Sequence, residues 1–243
     1  MDICKKKDKN IEPEDNCEEV GTKWILIAQE AKTKLVISHH EGKRDFEDSV
    51  ELIEDLEKKR NKNTELPIFI TDDWDPYKNA LIEVYGITEQ PEYKGRGRQS
   101  NPKKVPPPDL KYAQVIKHKK NDEVVSVDKR IVFGNEEEIL NTLKQNGNTI
   151  NTSYVERNNL TARNGVSRLI RDTIDFSKCF QMLLAHMCFF FAWFNFVKTH
   201  DALKIETDEG VKHWKQRTPA MAANITDHIW TLEELLNVKP PPK

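Results

Sequence analysis

The run from Cys179 to Val197 constrains this chain most, because its nineteen residues are largely apolar and hold no charge. That is about the length a helix needs to span a bilayer. The run also carries Gln181, His186 and Asn195, and it stands alone in a chain of mean hydropathy −0.72. Polar groups are costly in lipid, so the sequence predicts a long helix, Phe176 to Val197, buried in a protein core and not in a membrane. Met182, Phe189, Phe190, Phe191, Trp193, Phe194 and Phe196 then read as core. His186 reads as a core histidine, and His200 as a structural residue at the helix end.

Such a helix needs other apolar elements to cover it. Trp24–Ala28 and Lys34–His39 are short apolar runs joined by Glu30-Ala-Lys-Thr33, which predicts a hairpin. Asp45 is placed to cap a helix with Phe46, Val50, Ile53 and Leu56 at helical spacing. Leu66–Thr71 reads as a buried strand, and Asp75-Pro76 as a helix start ended by Gly86. Residues 87–110, with Pro106-Pro-Pro108, predict a mobile loop without regular structure. Tyr112–Lys117 and Val124–Phe133 alternate around Asn121-Asp122 as a hairpin would, and Glu136–Leu143 reads as a short helix. Helix is expected again from Ser153, with a break near Asp172–Asp175, and once more at Leu232–Leu236. The order predicts an α/β fold with a mixed central sheet flanked by helices in one domain, 23–236, between a polar lead-in, 1–22, and a tail, 237–243.

With 243 residues, 37% hydrophobic and 32% charged, the chain can bury a core without staples. Its net charge of −2 gives no sign of nucleic acid, but nine of the residues from Lys94 to Lys120 are Lys or Arg and only Asp109 is acidic. A local basic stretch can track phosphates whatever the total. Cys4, Cys17, Cys179 and Cys188 form no CxxC pair, which fits a reduced cytoplasmic chain. The Lys-rich, polar start has no apolar segment of the kind a signal peptide needs.

Three acids stand where chemistry could use them. Glu30 follows the first strand, Asp72 ends a later one, and Glu156 opens a helix. Carboxylates that converge repel one another unless divalent cations share the site, and such sites serve phosphodiester chemistry. Each also has an ordinary reading: Glu30 as a turn residue, Asp72 or Asp73 as a helix cap, and Ser153-Tyr-Val-Glu156 as a capping box. Spacing alone does not single out these three among forty acids.

Longer motifs do more. Asn151-Thr-Ser-Tyr-Val-Glu-Arg-Asn-Asn-Leu-Thr-Ala-Arg163, followed by Arg168-Leu-Ile-Arg-Asp-Thr173 and Phe176-Ser-Lys178, resembles the third-acid segment of DDE-type insertion-sequence transposases, in the group typified by the first-described bacterial insertion element. Thr71-Asp72-Asp73-Trp74-x-x-Tyr77 resembles the family's second-acid segment. Trp24-Ile-Leu-Ile-Ala-Gln-Glu30, with Thr33-Lys-Leu35 and Gly42-Lys-Arg44, resembles the first. Asn195-Phe-x-x-x-His200, Arg217-Thr-Pro-Ala-Met-Ala-Ala223 and Thr226-Asp-His-x-Trp230 resemble the C-terminal part. The resemblance runs from about residue 2 to residue 236.

It implies a ribonuclease H-like fold and metal-dependent DNA cleavage and strand transfer at transposon ends. Glu30, Asp72 and Glu156 would be the catalytic acids and would hold two Mg2+ or Mn2+ ions. DNA, as transposon ends and target, would be the partner, with a homo-oligomer assembled on it in the cytoplasm or nucleoid. Arg157, Arg163 and Arg168, and Lys103 and Lys104 in the basic loop, are the candidate phosphate contacts; Arg157 and Arg168 are spaced for one helical face. Two departures stand out: Glu30 replaces the family's Asp, and Asp73 the expected Gly. The family's upstream DNA-binding region is also expected to be absent from this chain. Glu30 and the absent upstream region favour an alternative, a catalytically inactive remnant that at most binds DNA.

Overall fold

A computed structural model describes residues 22–91, 100–121, 123–169, 177, 179–207 and 213–239. The lead-in with Cys4 and Cys17, the basic residues from Lys94 to Arg98, Asp122 and the expected break near Asp172–Asp175 lie outside the described residues. The chain forms two compact units, Arg44–Ser153 and Met1–Lys43 with Tyr154–Lys243.

The unit Arg44–Ser153 is a three-layer α/β arrangement. Strand β3 (Ile68–Asp72) runs parallel to β6 (Lys111–Lys120), which pairs antiparallel with β7 (Glu123–Phe133). Alternation along the strands supplies two apolar faces. Phe69 and Tyr112 pack with Ile53 of α1 (Phe46–Lys59) and with Ala80 and Leu81 of α2 (Asp75–Tyr85). Ile68, Ile70, Ala113 and Val115 face the other way, onto Ile139 and Leu143 of α3 (Glu136–Gln145).

Asp45 caps α1 through a capping box: its side chain accepts from Asp48 N at 3.0 Å, and Asp48 bonds back to the cap. For α2 the cap is Trp74, not Asp75. Asp75 and Pro76 fill the first turn, where an acid suits the helix dipole and a proline costs no hydrogen bond. Residues 87–110 hold more structure than expected. Gly86 leaves α2 in an extended conformation, and β4 (Ile87–Glu89) pairs antiparallel with β5 (Lys103–Val105).

In the other unit, β1 (Trp24–Gln29) and β2 (Val36–Gly42) form the expected hairpin. They pair only with each other among the described residues, so the mixed sheet is confined to β3, β6 and β7. Ile25 and Val36 join a core with Ala162, Val166 and the buried face of α5 (Phe180–Phe196). This helix starts later than Phe176 and is buried on one side only: Leu183, Met187, Phe190, Phe191, Phe194 and Asn195 are inside, whereas Met182 and Phe189 are exposed. No helix among the described residues is long and apolar enough to cross a membrane. Helix α4 (Ser153–Gly165) stops at Gly165, and Arg168 sits in the 3-10 turn that follows. Two short hairpin strands, β8 (Ile205–Glu206) and β9 (Trp214–Lys215), precede α6 (Pro219–Ala222) and α7 (Leu232–Asn237).

Candidate functional site

Asp72 ends β3, so its side chain emerges at the C-terminal edge of a parallel strand pair, the edge where α/β sheets present ligands. It is exposed, and Arg44 Nη2 lies 3.7 Å from its Oδ2. The Arg44 guanidinium also covers the Trp74 ring, 4.8 Å from its centre. Thr71 Oγ1 and the Tyr112 hydroxyl are 2.7 Å apart beneath this edge. Burial, with the charge of Asp72 beside it, holds the Tyr77 hydroxyl well above the ordinary tyrosine range. Burial likewise raises that of Tyr112. Asp73 accepts from Arg130 Nη2 at 2.8 Å, and the same nitrogen reaches the buried Gln114 Oε1 at 2.5 Å. The strand end is thus two acids, each met by an arginine, above a layer of hydroxyl groups. Arg44 entered the sequence reading only within the first-acid motif, not beside Asp72, and Arg130 did not enter it at all; Arg130 is reached only through the β6–β7 register, which sets it opposite Gln114.

Glu30 closes the β1–β2 turn. Its Oε1 accepts from Lys32 N at 3.0 Å, and its Oε2 accepts from the backbone N–H of Thr33 at 2.5 Å and from the Thr33 hydroxyl. Its backbone N donates to Leu35 O at 2.9 Å, and Lys34 N returns a bond of 2.9 Å to Glu30 O. Lys34 takes a left-handed φ of 63° in this turn. Its ammonium lies over the Tyr154 ring, 3.2 Å from the centre, which brings the turn to the start of α4. Burial holds the Lys34 amine below its ordinary range; the attraction of Glu30 opposes this and the repulsion of Arg157 adds to it.

Glu156 is exposed in the first turn of α4. Just ahead of it, Asn151 Oδ1 accepts from Ser153 N at 3.2 Å and from Ser153 Oγ at 2.6 Å. Glu30 and Glu156 therefore belong to one unit and Asp72 to the other. Within neither unit do three or more His, Cys, Asp or Glu side chains gather as a metal-binding group among the described residues. The carboxylates of Asp72 and Glu156 suit a hard divalent cation and belong to exposed residues. That of Glu30 suits it by chemistry but is engaged by its own turn.

The basic candidates differ among themselves. Arg157 and Arg163 are exposed on α4. Because α4 ends before Arg168, the helical spacing of Arg157 and Arg168 does not set a common face; the half-buried Arg168 acts instead on His186, which burial first and this charge second hold below the usual histidine range. Lys103 and Lys104 are exposed on β5, and Lys104 is tied to α2 by bonds of 2.5 Å to Glu83 Oε1 and 2.8 Å to Glu83 O.

No family model, no curated protein and no solved structure matches this chain.

Proposed function

We propose that the chain is the catalytic domain of a DDE-type DNA transposase, with a ribonuclease H-like fold. The observation that carries this reading is Asp72, the second residue of the Thr71–Tyr77 motif, at the C-terminal end of β3 with the mixed β3–β6–β7 sheet behind it. The resemblance of Asn151–Arg163 adds Glu156, exposed in the first turn of α4. In this reading Asp72, Glu156 and Glu30 hold Mg2+ or Mn2+, and those ions supply the Lewis acidity for phosphodiester cleavage and transfer. Arg157, Arg163, Arg168, Lys103 and Lys104 bind strand phosphates and orient the DNA; their contribution weakens as salt rises. A homo-oligomer would hold two transposon ends together.

A second reading, an inactive transposase remnant that binds DNA, is favoured by Glu30. Both of its carboxylate oxygens accept hydrogen bonds inside the 30–35 turn. A cation would have to compete with the turn for them, and magnesium tolerates little distortion of its octahedron.

Cleavage and strand transfer on a labelled candidate-end duplex with Mn2+ or Mg2+ tests the proposal. The parent is expected to cut, Asp72→Ala to lose at least about a hundred-fold in rate, and Glu30→Asp to match or exceed the parent. Cutting that survives Asp72→Ala would overturn the metal role of Asp72. Cutting in Glu30→Asp alone would establish a remnant disabled at that position.

A further inference from the structure

Past Ile116 the β6–β7 pair leaves the core of its unit. Lys117–Asn121 and Glu123–Arg130 are exposed throughout, so the hairpin continues as a two-stranded ribbon with solvent on both faces. Two strands alone are marginally stable, and Val124, Val125 and Val127 stay 49%, 66% and 49% exposed on them. None of these residues joins a core cluster of the unit.

The register sorts the charges of the ribbon by face. Ala113 and Val115 pack toward α3, so alternation along β6 puts Lys117 and Lys119 on that same side. Val127 stands opposite Lys117, Val124 opposite Lys119, and Lys129 opposite Val115, which brings all three to this face. Among the described residues the face therefore holds three lysines and two valines, with no acid. Glu123 and Asp128 fall on the other face, opposite Lys120 and Ile116, and Asp128 Oδ2 there lies 2.9 Å from His118 Nε2. The acids that open α3 sit at the far end of β6, where Glu138 Oε1 meets Lys111 Nζ at 2.5 Å.

We propose that the β6–β7 ribbon is a duplex-DNA-binding arm that lays its Lys117, Lys119 and Lys129 face into the major groove. That groove is about 12 Å wide in B-DNA and admits a two-stranded ribbon. Lys119 and the position opposite Lys129, Val115, are four residues apart (119 − 115), or about 14 Å at about 3.4 Å per residue. Lysines so spaced reach phosphates on both sides of the groove, and Val124 and Val127 beside them offer apolar surface to the base edges, thymine methyls included. The choice of DNA among polyanions rests on the transposase reading; the arm adds a contact distinct from Lys103, Lys104 and the arginines of that reading.

The test is fluorescence anisotropy of the full chain with a labelled mixed-sequence DNA duplex, in EDTA, so that binding is read without cutting. The triple variant Lys117→Gln, Lys119→Gln, Lys129→Gln is expected to bind at least about ten-fold more weakly, with a log–log salt slope shallower by about three. Its thermal midpoint should match the parent's, because all three residues are exposed. Lys119→Gln should weaken binding more than Lys120→Gln, its neighbour on the other face. An RNA duplex of the same sequence should bind less tightly, since its deep, narrow major groove shuts the ribbon out. Equal affinity for the RNA duplex, or for phosphatidylserine vesicles, would overturn groove entry. A parent that binds the DNA and a triple variant that binds it equally well would overturn the arm and leave the transposase reading standing. A parent that binds no duplex at low salt would overturn both.

Discussion

Two histidines pull the stability of the unit Met1–Lys43 with Tyr154–Lys243 in opposite directions. His39, raised to about 9 from 6.5, binds its proton more tightly folded than unfolded. Its contribution, at most about 3 kcal/mol, is complete below pH 6.5 and is lost as pH rises through 9. His200 behaves in the reverse sense. Burial first, and Lys198 second, lower it to about 4; its ring packs edge-on against Phe194, and its Nε2 is buried without a hydrogen-bond partner among the described residues. Unfolded chain therefore takes up the proton first, and stability falls between pH 6.5 and 4. In urea unfolding, His39→Gln should flatten the loss between pH 6.5 and 9.5, and His200→Gln the loss between pH 6.5 and 4. Unchanged slopes in the two variants would refute these assignments. His39 and Glu41 share one face of β2 by alternation alone, but the Phe191 ring that His39 packs on comes from α5, and only the packing of that helix on β2 introduces it.

At the scale of elements, Asn195 does the work of a missing strand. Its Nδ2 donates to Val36 O at 2.9 Å and its Oδ1 accepts from Val36 N at 3.0 Å, so one buried amide satisfies both backbone groups at the start of β2. Replacement by Ala leaves a donor and an acceptor unpaired inside the core and is expected to cost about 2–4 kcal/mol. Asn195→Asp should cost as much or more, because a carboxylate cannot donate to Val36 O. Thermal unfolding of the two variants checks this; a loss under about 0.5 kcal/mol in both would show that the pair carries no weight. Capping and alternation were legible in the sequence: Asp45 before α1, the β1–β2 turn and the β6–β7 hairpin all follow from local rules. The one-sided burial of α5 was not. Its residues are apolar all round, so no periodicity tells Phe189, exposed, from Phe190, buried. The 87–110 segment misled for another reason: its prolines and glycines argue for a loop, while the β4–β5 ladder uses only Ile87–Glu89 and Lys103–Val105.

For the whole molecule, the sequence picks out Asp72 and Glu156 by motif, and the fold gives each a chemical setting: a strand end shared with Arg44, Arg130 and Tyr77, and the exposed first turn of α4. It gives Glu30 a different one, with a carboxylate committed to its own turn. The arginines near Asp72 could not be read from the chain, since Arg44 depends on a left-handed turn, φ 65°, ahead of α1 and Arg130 on a strand register. The account therefore rests on whether these acids hold divalent cations at all, a question that needs no knowledge of the DNA ends. Mn2+ titration of the parent, Asp72→Ala and Glu156→Ala, followed by the loss of the free-ion electron paramagnetic resonance signal, answers it. The account predicts binding in the parent that weakens more than about ten-fold in each variant, since even groups behind the ligands cost that much. Binding of equal strength in all three proteins would contradict it.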